Sequence, residues 1–459
     1  MVDLDSGVFM EQVEDLVERK RWADLRDMLL LLEPADIAQI LTELETDRLP
    51  LLYRLLPKEL AAETFVEMEP EEQEVLIKSF SDNELREVLD ELYVDDTVDI
   101  IEEMPATVVK RILKHTDPDT RRKVNEILKY PEDSAGSIMT TEFVDLKRSM
   151  TVEDAFKRIR RTGVDKETIN VCYVTDPSRH LLGTVSIRTL LLAEEDDVIE
   201  DIMETNIIFA NTLDDKESVA QDLSRYDFLA MPVVDRESRL VGIVTIDDAI
   251  DVMEEAATED FELMAAITPT DKPYLRTGVW ETVKSRIPWL MLLMLSATFT
   301  GIVISSFEDS LAMCSVLIGF IPMLMGTGGN SGNQSSVAVI RGLSLNEIDF
   351  SDLLAVVWKE SRVAVVCGLL LAGGNFIKLL VVDRWLMHNS EVTVTVAVVI
   401  CLTLVCTVFC AKVVGCLLPL LAEKIGLDPA VMAAPFISTI VDVLSLVIYF
   451  AFATALLGI

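Results

Sequence analysis

Asp442 is the residue whose position most needs a chemical explanation. It lies twelve residues into the final apolar segment, in APFISTIVDVLSLVIYF, where an unpaired carboxylate is costly and marks a functional site by default. Ser438 and Thr439, one turn earlier, add hydroxyl oxygens on nearby faces. A second polar set interrupts another apolar run: GTGGNSGNQSS at 326–336, which carries Asn330, Asn333 and Gln334. Carboxylate, amide and hydroxyl oxygens are the donors a hard cation takes, and no His or Cys cluster points to a softer metal. Two plainer readings stay open. Lys378 or Lys412, near the ends of their own segments, offers Asp442 an ion-pair partner, and the glycines suit tight helix packing.

A larger set of carboxylates lies outside the apolar segments. Residues 1–271 hold 65 acidic and 29 basic residues, a net of −36, whereas 272–459 hold 12 and 11, a net of −1. Such a polyacid repels itself unless cations neutralise it, and it speaks against a nucleic acid partner. Asp95 and Asp99 stand four residues apart, and Asp248, Asp251, Glu255 and Glu259 run along one face of an expected helix. Like charges so placed repel by a few tenths of a kcal/mol per pair, a sign that a bridging divalent ion reverses. Most acids of residues 1–130 read as a solvated face. A polyacid outside the membrane and a carboxylate within it suggest a cation pathway with a cation sensor.

Six of the seven cysteines lie in apolar segments and no CxxC pair occurs, so they read as reduced apolar residues. His115, His180 and His388 are scattered and receive no role. The acidic opening lacks the apolar core of a signal peptide, which places the first half in the cytoplasm.

The elements that must position these residues change along the chain. Over 1–130, apolar residues recur at helical spacing, and Pro34, Pro57, Pro70, Pro105 and Pro118 punctuate them. Helices this short cannot bury their own stripes, so they stack into a right-handed, solenoid-like superhelix. Beyond about Ser137, β-branched runs alternate with helical stretches in two copies. Met139 corresponds to Met203 and Gly183 to Gly242. This duplication resembles a tandem pair of cystathionine-β-synthase (CBS) domains, a regulatory α/β module that often binds adenine nucleotides. In that resemblance Thr245-x-x-Asp248 matches the ribose-binding signature, and Phe228 and Arg188 match the positions that stack adenine and meet phosphate. The first copy has Ser186 and Thr189 and lacks the acid, which implies one ATP site per chain. Without a P-loop, ATP is a ligand and not a fuel.

Five segments, 287–306, 311–340, 360–382, 392–421 and 430–457, meet the roughly 20-residue apolar requirement for crossing a membrane. Lys284, Arg286, Arg341, Lys359, Arg362 and Lys424 flank one side. That puts the N-terminal half in the cytoplasm and the C-terminus outside. The expected chain is a multidomain membrane protein. It has a helical superhelix (1–130), two CBS repeats (131–200 and 201–252), a connecting plug helix (253–285) and a five-helix transmembrane domain (286–459).

This order, with GGNSGNQ in the second span and DPAVMAAPFISTIVD in the fifth, resembles the MgtE-type magnesium channels over essentially the full chain. The resemblance implies a homodimer, not an enzyme, in the inner or plasma membrane and in contact with lipid. The second and fifth spans of both copies enclose one pore. It implies Asp442 as main ligand for Mg2+, with Gly328, Asn330, Asn333, Gln334 and the nearby Ser438 as polar companions. Mg2+ fits, because it keeps its water and takes one or two carboxylates. The resemblance further implies closure by cytosolic Mg2+. The matching acids are Glu63, Asp95, Asp99, Asp215, Glu217, Asp227, Asp248, Asp251, Glu259, Asp260 and Asp428, joined by Glu255 on the same helix face. Ala256 stands where the family carries another acid, which puts that one ion site in doubt. The rival readings are a transporter or exchanger of another divalent cation, such as Co2+ or Ca2+, and a membrane-anchored nucleotide sensor.

Overall fold

Short amphipathic helices open the chain, as the proline punctuation predicts. They are α1 (Gly7–Glu18), α2 (Trp22–Leu29), α3 (Pro34–Glu43), α4 (Leu49–Tyr53), α5 (Lys58–Val66), α6 (Pro70–Ser79), α7 (Asp82–Leu89), α8 (Val94–Glu103), α9 (Ala106–His115) and α10 (Pro118–Ile127). Pro34, Pro70 and Pro118 occupy first turns, where a missing N–H costs nothing, and Pro57 and Pro105 directly precede α5 and α9. Ser81 and Glu84 close a reciprocal capping box on α7. Alternate helices pack on each other (α3 on α5, α5 on α7, α7 on α9), the pattern of a superhelical array. Tyr53, Phe65 and Phe80 meet in its middle with centroids 5.4–6.4 Å apart. The computed structural model describes residues 7–458 apart from 45, 271, 273, 309–311, 313, 390 and 433. Leu311, the expected start of the second span, lies outside the described residues, as do Asp309, Ser310 and Ser390 of the expected outer loops.

Two three-stranded sheets follow: β1 (Val144–Lys147), β2 (Val171–Thr175) and β3 (Leu181–Ser186), then β4 (Ala210–Asn211), β5 (Ala230–Val234) and β6 (Leu240–Thr245). In each, the first strand runs parallel to the middle one and the third runs antiparallel to it. Helices α11 (Val152–Thr162), α12 (Ile187–Leu192), α13 (Ile199–Ile202) and α14 (Lys216–Tyr226) complete the two repeats. The repeats exchange their leading segments. Met139, at the head of the first, packs on Gly242 of β6, and Met203, at the head of the second, packs on Gly183 of β3. A Cβ at either glycine would come within 2.8 Å of the methionine sulfur, so each strand must be bare there.

The chain divides into two compact units, Met1–Met253 and Glu254–Ile459. Helix α15 (Ile246–Met264) runs across that division. The helix that begins directly after β6 thus runs on through 253, where the expected connecting segment starts. It ends at Met264, and the stretch WETVKSRIP belongs to the next helix.

The second unit holds five long helices among the described residues: α16 (Val279–Ser306), α17 (Ile321–Ser344), α18 (Leu353–Lys378), α19 (Val394–Lys424) and α20 (Ala434–Leu457). Helix α18 continues as a π-helix to Leu386. Four of these segments are long and apolar enough to cross a membrane, and α17 is the exception because its glycines and amides dilute its apolarity. The glycine-rich stretch is nevertheless continuous helix, so its backbone groups are satisfied internally, as a lipid environment requires. Helices α17, α19 and α20 pack together, and α16 rests on α20 through Trp289 against Phe436.

The α17–α19 contact is backbone on backbone. A Cβ at Gly415 would lie 2.2 Å from the Gly332 carbonyl oxygen, whereas one at Gly373 or Gly374 would meet nothing within 4 Å. Gly415→Ala is therefore expected to destabilise the folded protein by about 1–3 kcal/mol. Gly373→Ala stays within about 0.5 kcal/mol. Thermal unfolding of both variants in the same detergent checks the contrast, and equal midpoints would show that the contact is slack.

Candidate functional site

The glycines and amides of α17 lie on different faces. Gly328, Gly329 and Gly332 are buried. A Cβ at Gly328 would meet Thr407 of α19 at 2.7 Å and Ser445 and Val441 of α20 at 2.9 Å, and one at Gly332 would meet Ile437 at 2.7 Å. These glycines serve close packing, the plainer of the two readings, and Gly328 in particular is a contact position. Asn330 and Gln334, four residues apart, are exposed, and Asn333 is half-buried, its Oδ1 without a hydrogen-bond partner among the described residues. Asn333, Gln334 and Arg341 line an open cavity of about 670 Å³ with Val337, Ala338 and Glu347.

Asp442 follows Val441, the residue that touches Gly328, and is half-buried. Ser438 lies one turn before it, with its Oγ 3.4 Å from where a Gly329 Cβ would stand. Neither lysine considered as a partner reaches Asp442. Lys412 pairs with Glu360 at 3.8 Å, and Lys378 pairs with Asp383 at 2.8 Å. Among the described residues, the ion pairs of the bundle thus leave Asp442 of α20 out, and the exposed amides Asn330 and Gln334 lie off the glycine contact face of α17.

The carboxylates of the first unit gather at the start of α8. Asp95 is 7% exposed, and its Oδ1 is buried without a hydrogen-bond partner among the described residues. Burial first, then Asp96 and Asp248, raise its pKa well above the usual carboxylate range. Burial and Asp248 push Asp99 up to about 8. Burial pushes Asp248 up to about 7 against the opposing hydrogen bond from the Thr245 hydroxyl. Three members escaped sequence reasoning. Asp96 is pushed up to about 6 and Glu167 up to about 8, burial leading in both, and Asp247 adds its charge to each. The doublets Asp95–Asp96 and Asp247–Asp248 were visible signals, but Glu167 sits in a loop of the first repeat with no pattern to mark it.

The other matched acids are spread out. Glu63, Asp251, Glu255 and Glu259 are exposed. Asp215 caps α14 by accepting from Ser218 N, Glu217 lies in that helix's first turn, and Asp227 ends it in a left-handed conformation at φ 54°. Within the second unit, Asp260 accepts from the Ser344 hydroxyl at 3.2 Å. Its pKa is raised by burial and then by Asp428, which itself caps the turn at Ala430. Among the described residues, no three His, Cys, Asp or Glu side chains already stand in an arrangement that holds a metal ion. The buried, unpartnered Asp95 oxygen and the all-carboxylate donor set nevertheless fit a hard divalent cation.

Of the nucleotide-matched residues, Thr245 donates to Asp248, Phe228 stacks on Tyr226 with centroids 5.6 Å apart, and Arg188 is exposed. In the first repeat Ser186 Oγ and Thr189 Oγ1 bond to each other at 2.8 Å.

Residues 321–452 match the MgtE family, described as a divalent cation transporter. Residues 32–133 match the MgtE intracellular N domain, and 135–196 and 199–255 match the CBS domain. The chain is 37% identical over 437 residues to the magnesium transporter MgtE of Thermus thermophilus, covering 94% of this chain and 95% of that protein. It is 34% identical over 440 residues to the magnesium transporter MgtE of Bacillus subtilis, covering 94% of each. The crystal structure of the cytosolic domain of the Mg2+ channel MgtE in complex with ATP superposes with a TM-score of 0.51 at 36% identity, covering 53% of this chain and 99% of that one. The soluble part of a magnesium transporter gives the same TM-score at 30% identity, covering 54% and 98%.

The acid cluster sets a pH dependence. Carboxylates whose folded pKa lies near 7–8 bind more protons folded than unfolded, where the pKa is about 4. Their contribution to stability is thus greatest at low pH and declines as pH rises from about 4 to about 8. In EDTA, the midpoint for unfolding of the first unit is expected to be lower at pH 8 than at pH 5.5. Millimolar Mg2+ should recover more of it at pH 8. Asp95→Asn should raise stability in EDTA at pH 8 by about 1 kcal/mol or more. A pH-independent midpoint in EDTA would contradict the clustering.

Proposed function

Because this chain belongs to the MgtE family of divalent cation transporters, we propose that it carries Mg2+ through a membrane as a homodimeric channel shut by cytosolic Mg2+. It is a multi-pass membrane protein and not an enzyme. The carrying observation is the polar stripe of α17, a helix whose Gly329 faces Ser438, one turn before Asp442 of α20. Amides facing lipid are unfavourable, so the stripe requires a covering that is both wet and protein-lined. A second copy, applied through a two-fold axis, supplies it with the same surface. Two Asp442 carboxylates would then face one hydrated ion. Asn330, Asn333 and Gln334 offer oxygens to its water shell, and Ser438 adds a hydroxyl near the carboxylate. This suits Mg2+, which sheds water reluctantly. The basic residues that flank the spans put the first unit in the cytoplasm and the C-terminus outside the inner or plasma membrane.

Gating follows from charge. With little Mg2+, Asp95, Asp96, Asp99, Glu167, Asp247 and Asp248 repel one another in a poorly solvated site. A divalent ion among them replaces repulsions with attractions and favours the compact arrangement by its differential affinity. Asp260 with Asp428 would hold another ion, and the exposed Glu63, Asp215, Glu217, Asp227, Asp251, Glu255 and Glu259 present further carboxylates. Helix α15 links both ends of this response, because Asp248 lies in its first turn and Leu263 near its end packs on Ile340 of α17 and on Ala430.

ATP is placed in the second repeat, on Thr245, Asp248, Phe228 and Arg188, as a ligand that supports the closed state. Asp248 belongs to both sets, so nucleotide and ion act on one carboxylate.

Asp442→Ala is expected to abolish Mg2+ flux into proteoliposomes while the dimer persists in size-exclusion chromatography. Near-normal flux would remove Asp442 from the pathway. A flux that follows an imposed membrane potential identifies a channel, and one that requires a counter-cation identifies an exchanger. Phe228→Ala should weaken ATP binding about tenfold by calorimetry, and two equal sites per chain would refute the placement.

A further inference from the structure

Three helices of the membrane unit meet at a buried polar knot that the proposed pathway does not use. Lys412 of α19 is 5% exposed, and the Glu360 side chain of α18 is 14% exposed. The Lys412 ammonium stands 3.8 Å from Glu360 Oε2 and donates to Ser335 Oγ of α17 at 3.2 Å. Ser335 Oγ in turn donates to Glu360 Oε2. Glu360 drew no attention in the sequence because it stands at the first position of the expected third span, between the flanking Lys359 and Arg362. The helix instead begins at Leu353, which carries Glu360 two turns inside it.

We propose that Lys412 and Glu360 are positioning residues that fix the rotation of α17 through Ser335, and that they thereby set the discrimination of the pathway between Mg2+ and Ca2+. A buried ion pair is a weak way to gain stability compared with an apolar pair of similar volume, so its presence asks for another reason. The packing face of α17 supplies one. At Gly328, Gly329 and Gly332 it is held by shape alone, which sets the face that turns inward but gives small rotations about the axis no directional restraint. Nearby buried hydroxyls do not compensate, since Ser336 Oγ and Thr407 Oγ1 have no hydrogen-bond partner. Ser335 therefore acts as a directional pin, and it is the next residue after Gln334. At the 5–6 Å radius of a helix, about 10° of rotation moves a side-chain head by about 1 Å. Mg2+ and Ca2+ differ by only about 0.3 Å in ligand distance, so freeing the pin loosens selectivity before it loosens the fold. Lys412 contributes differently. Its ammonium stands against the same Glu360 oxygen that accepts from Ser335, so the charge of that oxygen has a partner in the knot.

This rests on the transport reading, and the test separates the two. Full-length protein in proteoliposomes is assayed for Mg2+ and Ca2+ flux as wild type and as Ser335→Ala, Ser336→Ala, Lys412→Met, Glu360→Gln and the double variant Lys412→Met/Glu360→Gln. Ser335→Ala should assemble normally and lose about tenfold or more of the Mg2+/Ca2+ flux ratio. Ser336→Ala, the matched loss of one hydroxyl, should keep it. Each single charge variant should lower the thermal midpoint by leaving one buried charge uncompensated. The double variant should restore both midpoint and ratio, because the amide oxygen introduced by Glu360→Gln still accepts from Ser335. An unchanged ratio in Ser335→Ala, or a folded double variant without flux, overturns the proposal, the latter by showing that the charges belong to the pathway. Should Ser335→Ala fail to assemble, the ratio of the double variant decides. Wild type without Mg2+ flux would overturn the transport reading itself.

Discussion

The membrane unit depends on one close approach, that of α17 to α19 at Gly332 and Gly415, with α20 laid against Gly328. Lipid provides no hydrophobic drive for helices to associate, so contact area and complementary shape must do so, and bare backbone gives the closest fit. That fit fixes the consequences for polar residues. When the glycines turn inward, the helical period carries Asn330 and Gln334 to the exposed face, and contact with Val441 sets Asp442 beside α17.

The first unit rests on an opposing condition. A packed helical array and the second CBS repeat share one hydrophobic cluster. The same packing buries Asp95 and half-buries Asp96, Glu167 and Asp248, with Asp99 beside them, and hydrophobic burial there drives together groups that repel. A site of that kind is poised: protons or divalent ions relieve it, and their loss loads it again. Monovalent salt screens exposed charges but relieves buried ones much less, so the response belongs to ions that bind.

How much was legible in the sequence varied with the range of the interaction. Prolines at helix starts, the duplicated strand pattern and the apolar lengths of four of the five expected spans are local, and each led to the element now observed. Asp442 and the amides stood out because polar groups in an apolar run violate a local rule. Helix ends were less clear: α15 starts at Ile246 and α16 at Val279, because neither helix has a sharp compositional break at its true start.

The sequence by itself determined the family, the order of domains, the lone carboxylate of the last span and the polarity of the second. Tertiary structure alone decided which face of α17 each residue takes. It also decided that Met139 and Met203 cross between repeats, that Glu167 joins the helical-domain acids, and that Lys412 meets Glu360 and not Asp442. The reason is physical. Residue type and period act within a few turns of chain, whereas burial, pairing and pKa depend on neighbours that only the packing of distant segments brings together.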